Sequence, residues 1–400
     1  MDFVDFTNVT FRYWNRYLKD AADALHDGRL VSEAEKLLFP NLLMVANCEG
    51  YYVAELLGAT SNFAGLTLKK SKTQPINSYL NQFDDAASMP LIMVAEAQSS
   101  FSGICLAREG DFDEVKRRFP AFNSQRTLLV GTVGSGSLFA FDKSFESMSI
   151  DHCLLINQKG SAYRCKNILS LFVVRNSITA GNLKRFYSHV NSKNVVVLHT
   201  LSAGDEASSV AGQFQNMYLS QGVHETTLGE FLRMHPEVVQ TAFSCESFLY
   251  EKSFKWIKSK FEMDELTINP DLLVRRHDGF YDIYDLKTAA FKYKSLTNKK
   301  SSRRKFIEYV YDGIAQLHNY SEYFKIPENA KHALDTHGVE VSNPKLVLVV
   351  GSWENVVPAE VQQASGLHPD ITIIDYDTFC HLYISGASAE KSEALHDAEQ

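Results

Sequence analysis

The sequence predicts a mixed α/β (α+β) protein built from two domains, and three observations support that prediction. The chain has 400 residues, which is long for one domain, and its 45% apolar and 22% charged residues are typical of a soluble globular protein. Helical periodicity runs through residues 11–60, whereas short β-rich apolar runs dominate from about residue 90. A hairpin-like pattern at 271–287 is followed by a helical pattern at 306–324.

The polar, small and acidic stretch at 201–209 marks the predicted boundary between the two domains. We predict an N-terminal mixed α/β domain with a regulatory or sensor role over residues 1–205 and a linker over 206–224. The second domain is expected over residues 225–385, and the small and charged residues 386–400 are expected to form a flexible tail.

The first domain begins with helix and continues with strands. The spacing of Leu25, Leu30, Leu37 and Leu38 predicts helix within residues 11–60. Six later runs are apolar, β-rich and bounded by small or polar residues, and they predict strands at 90–97, 126–133, 137–142, 153–158, 170–174 and 194–200.

The second domain begins with a predicted helix over 226–239, for which Thr226 or Thr227 provides the N-terminal cap. A β-hairpin over 271–287 follows, with the Asp-Gly pair at 278–279 in its turn. The remaining predicted elements are a helix over 306–324, a buried strand over 345–351, and a strand followed by a helix over 371–384.

Composition excludes several classes of protein. The 40 Lys and Arg against 48 Asp and Glu give a net charge of −8, which excludes a wholly basic surface for nucleic acid but permits a local basic patch. The six cysteines contain no CxxC pair, so neither a zinc ribbon nor a thioredoxin motif is expected. No secretory signal and no apolar run of membrane-spanning length is evident, so we predict a cytoplasmic protein without membrane contact.

The predicted hairpin carries the candidate catalytic and metal-binding residues. Asp271 opens its first strand, while Asp285 and Lys287 lie two residues apart near the end of its second strand and therefore on one face. Two converging carboxylates bind a hard divalent cation, so we predict Mg²⁺ on Asp271 and Asp285 with the Leu286 carbonyl as a further ligand. A lysine beside such a metal can orient or deprotonate a water and offset charge on a phosphate. These residues indicate metal-assisted hydrolysis of a phosphodiester.

The simpler alternative is a solvated strand face that happens to carry an acid and a base. Three features favour the functional interpretation: the hairpin has a proper turn, its flanking residues are core-like, and a helix with Gln316 and Tyr320 on one face follows it.

These residues, Asp271, Asp285-Leu286-Lys287 and Gln316 with Tyr320, resemble the motif of the PD-(D/E)xK nuclease superfamily. A closer resemblance over about 225–385 is to the Shedu (SduA-like) anti-phage defence nucleases. Three further segments carry it: Glu230-Phe231-Leu232 with His235-Pro236, Val349-Val350-Gly351, and Asp375-Tyr376-Asp377-Thr378-Phe379.

This resemblance implies a restriction-endonuclease-like domain with a central mixed sheet. It also implies a Mg²⁺-dependent endodeoxyribonuclease, in which Mn²⁺ can substitute, that nicks or cleaves DNA in bacterial defence against phage. Gln316 is then expected to orient Lys287 or a phosphate, with Tyr320 packing behind it. Shedu proteins assemble through this domain, so a homo-oligomer (dimer or tetramer) is implied as well.

The superfamily usually places a glutamate on the helix before the Pro-Asp strand. Glu225, Glu230, Glu246 and Glu251 are all candidates for this position. Glu230 lies on the best-predicted helix and is the leading candidate, with a surface glutamate as the alternative for each.

A basic segment follows the catalytic strand directly. It contains seven basic residues and no acid: Lys292, Lys294, Lys299, Lys300, Arg303, Arg304 and Lys305. The functional interpretation is contact with DNA phosphates, and the alternative is a solvated loop. Because no base-reading motif accompanies the segment, weak sequence specificity is expected.

Two other functions remain open at the level of sequence. The first is a repair nuclease or a modification-dependent restriction nuclease of the same superfamily, which dependence on base modification or on DNA ends would reveal. The second is a non-catalytic DNA-binding module, which loss of the upstream glutamate would favour.

Overall fold

The computed structural model divides the chain into two compact units, Met1–Ser220 with Ile384–Gln400, and Gln221–Tyr383. The structure describes residues 1–30, 36–71, 73, 75–76, 79, 90–95, 103–108, 126–131, 139–140, 146–159, 162–192, 199–201, 206–220, 223–259, 266–289, 293–300, 303–352 and 354–398. Within these residues, no helix is both long and apolar enough to cross a membrane.

The first unit combines helices with an extended mixed sheet. Its helices are α1 Phe3–His26, α2 Ala180–Ser192 and α3 Glu206–Leu219. Its strands are β1 Lys36–Leu38, β2 Leu42–Cys48, β3 Tyr51–Leu57, β4 Thr67–Lys70, β5 Pro90–Ala95, β6 Gly103–Arg108, β7 Arg126–Gly131, β8 Phe139–Ala140, β9 Ser147–Lys159, β10 Ala162–Arg175 and β11 His199–Leu201. Among the described residues, nine strands form one sheet in the order β4-β2-β3-β10-β9-β6-β5-β7-β8. The predicted N-terminal mixed α/β composition is therefore confirmed.

Helix is correctly predicted at the start of this unit but extends too far in the prediction. α1 ends at His26, and Leu37 and Leu38 lie on a strand instead of on a helical stripe. The segments Leu42–Cys48 and Tyr51–Leu57 are almost wholly buried, and a strand buried on both faces shows a continuous apolar run without alternation. Such short runs cannot be told from a buried helix by periodicity alone.

Two segments predicted to lack structure are helical. Residues 206–224, predicted as a linker, contain α3, in which Phe214 and Tyr218 are buried. The segment 386–400, predicted as a flexible tail, is largely occupied by a helix, α9 Tyr376–Ala398. In both segments small and charged residues are compatible with helix, and composition alone does not detect this.

The second unit contains a central sheet flanked by helices. Its helices are α4 Glu225–Met234, α5 Pro236–Phe243, α6 Glu308–Lys325, α7 Pro327–His337, α8 Pro358–Ser365 and the start of α9. Its strands are β12 Ser247–Tyr250, β13 Phe254–Lys255, β14 Thr267–Ile268, β15 Leu272–Arg275, β16 Tyr281–Leu286, β17 Thr297–Lys300, β18 Arg303–Phe306, β19 Leu346–Val349 and β20 Ile371–Ile374.

The central sheet has the strand order β12-β15-β16-β19-β20. The first three strands pair antiparallel, whereas β16, β19 and β20 pair parallel. The predicted mixed α/β class, with a central mixed sheet in the second domain, is confirmed. Because β16 and β19 run parallel, the residues that follow Leu286 and Val349 meet at one edge of the sheet, where the Lys287 amide donates to the Val349 carbonyl at 2.8 Å.

The predicted hairpin at 271–287 is formed by β15 and β16. Its turn is closed by a hydrogen bond from the Arg276 amide to the Phe280 carbonyl at 2.8 Å, and Asp278 accepts from the Phe280 amide at 3.1 Å. Gly279 has a φ of 88°, a left-handed conformation that glycine adopts at little cost. The Asp-Gly pair therefore fixes the register that brings the two ends of the hairpin together.

The helix predicted over 226–239 is two helices, α4 and α5. His235 separates them because Pro236 disfavours helical conformation in the residue before it. The cap also differs from the prediction, since His224 occupies that position without a side-chain hydrogen bond. As a result, α4 begins one residue earlier than expected, at Glu225.

Helix α6 confirms the predicted helix at 306–324 and packs against the hairpin strand. Its buried face contains Val310, Ile314 and Leu317, as the periodicity predicts. Gly313 permits the close approach, because a Cβ atom at this position would lie 2.6 Å from Leu348 Cδ1 and 3.3 Å from Asp285 Oδ2. This close packing brings Gln316, which lies beside the buried face, to the edge of the sheet where β16 and β19 end.

Candidate active site

The two predicted acidic residues lie at the mouth of the hairpin. Asp271 immediately precedes β15, and its Oδ2 accepts a hydrogen bond from the Leu286 amide at 2.6 Å. Asp285 lies near the end of β16 and is 1% exposed. The hairpin register thus holds Asp271 against the strand that carries Asp285, as the sequence predicts.

Lys287 lies at the centre of a set of acceptors. Its Nζ is 2.8 Å from Asp285 Oδ2 and 2.6 Å from Gln316 Oε1, and 3.9 Å from Glu225 Oε2. The two-residue spacing of Asp285 and Lys287 therefore produces a direct ion pair. Gln316, on the exposed flank of α6, reaches the ammonium from the helix.

The site concentrates negative charge in a buried place. Burial raises the pKa of Asp271, and the hydrogen bond from the Leu286 amide and the charge of Lys287 only partly offset this. The pKa of Asp285 is also raised, first by burial and then by Asp271. Burial acts to lower the pKa of Lys287, but Asp285 and Glu225 outweigh it and the net shift is upward, so the lysine is an ammonium.

Among the four upstream glutamates, Glu225 lies beside Lys287. It is the first residue of α4, and its Oε1 accepts from the Tyr309 hydroxyl at 2.8 Å. Glu230, favoured by the sequence, instead forms an ion pair with Arg233 on the exposed side of the helix, with 2.7 Å between Oε2 and Nη2. Glu246 pairs with Arg275, with 3.6 Å between Oε2 and Nη1. Glu251 contributes a smaller upward effect on the pKa of Asp271.

Two tyrosines lie near these carboxylates: Tyr309, which sequence reasoning missed, and Tyr376, which it named only within a segment that carries the resemblance. Tyr309 is on the first turn of α6, seven positions before Gln316, so both lie on one face of the helix. Tyr376 begins α9 and is fully buried, and its pKa is raised by burial and then by Asp271 and Tyr309. The helical spacing from Gln316 was the available signal for Tyr309. Tyr320, which the sequence places on the same stripe, donates to the Asn269 carbonyl at 3.2 Å and packs behind the Pro-Asp segment.

The donor set suits a hard divalent cation. Glu225, Asp271 and Asp285 oppose a single ammonium, and carboxylate oxygens are the ligands that Mg²⁺ prefers. The side chains of Asp271 and Asp285, with the Leu286 carbonyl, are the groups that could hold it. Within the described residues, no three His, Cys, Asp or Glu side chains form a ready-made metal cluster. A cation here would therefore depend on two carboxylates and the backbone.

The basic segment is a β-hairpin and not a loop. β17 and β18 pair antiparallel, with Lys300 opposite Arg303 at the turn end. Lys294, Lys299 and Lys305 are exposed. Lys292 and the side chains of Lys300 and Arg303 lie outside the described residues.

Arg304 differs from the other basic residues of this hairpin. Its Nη2 lies 2.5 Å from Glu360 Oε1 and its side chain is 25% exposed. Glu360 Oε2 accepts from the Thr297 hydroxyl at 2.7 Å, so one carboxylate joins both strands to α8. Arg304 is therefore engaged in an ion pair that stabilises the hairpin, and its contact with a DNA phosphate stays a prediction.

One comparison with known proteins, a family model, agrees with the residue pattern of the second unit. The family model described as Shedu protein SduA, C-terminal, matches residues 223–380. A search of curated proteins finds no match to the chain. Among solved structures, the EndoMS-dsDNA2 complex aligns with 10% identity and a TM-score of 0.16, over 72% of this chain and 84% of that one. A TM-score this low supports no conclusion about fold or function.

The family match covers every residue of the site, from Glu225 on α4 through the hairpin to Gln316 on α6. Residues 223–380 of this chain are therefore similar to the C-terminal domain of Shedu SduA proteins.

Proposed function

We propose that the protein is a Mg²⁺-dependent endodeoxyribonuclease that nicks or cleaves DNA in bacterial defence against phage. The observation that carries this proposal is the meeting of Asp271, Asp285, Lys287 and Gln316 at one edge of the central sheet. The match of residues 223–380 to the family model of the Shedu SduA C-terminal domain supports the defence role. We expect the protein to act in the cytoplasm.

Asp271 and Asp285, with the Leu286 carbonyl, would hold the metal. When bound, Mg²⁺ supplies charge neutralisation at the phosphate and a more acidic water. The raised pKa values of the two carboxyls mean that the empty pair binds protons more readily than ordinary carboxyls, so cation and protons compete for it. Activity should therefore fall as the pH is lowered towards the ordinary carboxyl range.

Lys287 acts as a fixed cation in this proposal and not as a general base. Its pKa is raised and its ammonium is engaged by Asp285 and Gln316, so it has no lone pair with which to accept a proton. A buried positive charge held in place stabilises negative charge that develops on a phosphate. Because Gln316 accepts from Lys287 through its oxygen, its amide nitrogen remains the donor for a DNA phosphate oxygen.

The basic hairpin supplies phosphate contacts outside the catalytic residues. Lys294, Lys299 and Lys305 are exposed and would neutralise DNA phosphates, so binding should weaken steeply with salt. Backbone contacts carry little sequence information, and we therefore expect weak sequence preference. We further propose a homo-oligomer formed through the second unit and a regulatory or sensor role for the first.

The test is cleavage of supercoiled and linear plasmid with Mg²⁺ or with EDTA. Lys287→Ala should reduce cleavage by about 100-fold or more, the scale for losing one preorganised electrostatic group. Lys325→Ala is the matched control, because Lys325 is an exposed lysine on α6 that pairs with Glu322. Cleavage by wild type and Lys325→Ala, only with metal, supports the proposal.

A non-catalytic DNA-binding module is the alternative outcome of this experiment. DNA that is shifted on a gel but left intact by wild type at every metal concentration would establish this alternative and overturn the nuclease.

A further inference from the structure

A hydroxyl on α6 connects the helix that carries Glu225 to the strand end that carries Lys287. The Tyr309 hydroxyl lies 2.8 Å from Glu225 Oε1, 2.9 Å from the Thr288 amide nitrogen and 2.8 Å from Thr288 Oγ1. Thr288 directly follows Lys287. One phenol therefore contacts two elements of the site that are distant in sequence.

The direction of each of these hydrogen bonds is set by the groups involved. A phenol has one proton, and a carboxylate oxygen can only accept, so Tyr309 donates to Glu225. The Thr288 amide can only donate, so it donates to the phenol oxygen, and the Thr288 hydroxyl then donates to it as well. Burial raises the pKa of Tyr309, which keeps the phenol protonated and able to donate.

Glu225 depends on this donor for its orientation. It lies on the first residue of α4 with its side chain 37% exposed, and its Oε2 is 3.9 Å from Lys287 Nζ, at the outer limit of an ion pair. A long ion pair leaves a flexible glutamate several rotamers. The 2.8 Å hydrogen bond from Tyr309 fixes one oxygen, so the other is presented to the ammonium.

We propose that Tyr309 is a positioning residue that holds Glu225 against Lys287. One face of α6 then places both Glu225 and Gln316 beside the lysine. Tyr309 acts through Glu225, and Gln316 contacts Lys287 directly two turns later. This inference rests on the proposed nuclease function. It predicts that the phenol proton matters and that its effect passes through Glu225.

The test is a double-mutant cycle on full-length protein with Tyr309→Phe, Glu225→Gln and both together. Tyr309→Phe retains the ring, which packs 5.9 Å from the Tyr293 ring, and removes only the donor. We expect the rate of plasmid cleavage to fall about 10-fold, the scale for a partner that orients a functional side chain. Mn²⁺ affinity by calorimetry, which depends on Asp271 and Asp285, should stay within about twofold of wild type. In the Glu225→Gln background the same change should have less than a twofold effect.

Tyr311→Phe is the matched control, because Tyr311 is on the same helix but its ring contacts Phe306 and His368. It should retain wild-type metal affinity and cleavage, and unchanged thermal unfolding of each variant checks the fold. Wild-type behaviour of Tyr309→Phe overturns the positioning role alone. An equal loss with and without Glu225→Gln overturns it too, since Tyr309 would then not act through Glu225. A wild-type protein that neither binds Mn²⁺ nor cuts DNA overturns the proposed function, and the positioning role with it.

Discussion

The two units both bury charged side chains in a sheet, but they balance the charge differently. In the first unit, Glu55 on β3 and Lys69 on β4 both lie opposite Met44 of the strand between them, so one acid accompanies one base. In the second unit, one lysine meets Glu225, Asp271 and Asp285. A buried charge is therefore no sign of function by itself. The excess of carboxylates over ammonium marks the second site.

The partners of the buried charges sharpen this comparison. Glu55 accepts from the Tyr79 hydroxyl, and Lys69 donates to the Leu219 carbonyl at 3.3 Å, which are contacts within the core of one unit. In the second unit, burial and then Asp271 raise the pKa of Asp285, and burial with a smaller contribution from Glu225 raises the pKa of Asp271. Repulsion among buried carboxylates destabilises the folded protein, as is common at functional sites, and binding of a ligand offsets this destabilisation.

The largest expected effect comes from removing one of the excess carboxylates. Asp271→Asn retains an oxygen that can accept from the Leu286 amide but removes a charge beside Asp285. Plasmid cleavage should fall by 100-fold or more because a metal ligand is lost. Retention of more than a tenth of the cleavage rate would contradict the role given to Asp271.

The same variant should unfold at a higher temperature in EDTA near neutral pH. The folded pKa of Asp271 is raised, so the folded state binds a proton more tightly than the unfolded state does. The stability that this proton gives is present at low pH and is lost as the pH rises from about 4 towards neutrality. The gain of Asp271→Asn over wild type should thus reach about 3 kcal/mol near neutrality and vanish near pH 4. Calorimetric unfolding across this range measures it, and a lower melting temperature at neutral pH would contradict it.

An acid-to-amide change in the first unit should have the opposite sign. Glu55 is fully buried and hydrogen-bonded to Tyr79, so Glu55→Gln weakens a charge-assisted bond without relieving repulsion among carboxylates. We expect a loss of about 1–3 kcal/mol at neutral pH in the same unfolding experiment. An increase in stability would show that the two sites do not differ in charge balance.

The basic residues of the β17–β18 hairpin should contribute unequally to DNA affinity. Lys299→Ala with Lys305→Ala should weaken binding in EDTA about tenfold or more and reduce the slope of log affinity against log salt by roughly two. Arg304→Ala should leave that slope nearly unchanged, because Glu360 already neutralises Arg304. Fluorescence anisotropy at several salt concentrations distinguishes them, and equal slopes for both variants would contradict this division.

The smallest expected effect concerns the approach of α6 to β19. Gly313→Ala would place a Cβ atom 2.6 Å from Leu348 Cδ1, so the helix or the leucine must shift. We expect a loss of stability of about 1–3 kcal/mol from overpacking and a several-fold loss of cleavage, since Gln316 and Tyr309 move with the helix. Ala315→Gly, on the exposed side of α6, controls for the change in helix propensity. A neutral Gly313→Ala would contradict the close packing.

Local patterns were sufficient to predict the core of the site. The Asp-Gly turn fixes the hairpin register, and a spacing of two residues brings Asp285 to Lys287. Both features depend only on residues within the segment 271–287. Gln316 follows from its place on the next helix. The unit's elements were predicted largely because hairpin and helical periods are distinct there.

The features that could not be predicted depend on contacts between distant segments. Glu225 reaches Lys287 from a helix that starts one residue before the expected cap, and Tyr309 reaches Glu225 across 84 positions. The ion pair of Arg304 with Glu360 likewise joins segments that are more than fifty positions apart, and no local pattern indicates it. The strands at 42–57 were predicted as helix, because continuous apolar runs have no period that separates the two structures.

Titration calorimetry of Mn²⁺ binding to the full-length protein tests most directly whether Asp271 and Asp285 form a metal site. The account predicts at least one site per chain in the wild type, and its loss in Asp271→Asn, with Glu55→Gln binding as the wild type does. Equal binding by wild type and Asp271→Asn, or no binding by the wild type, would contradict the metal site at Asp271 and Asp285.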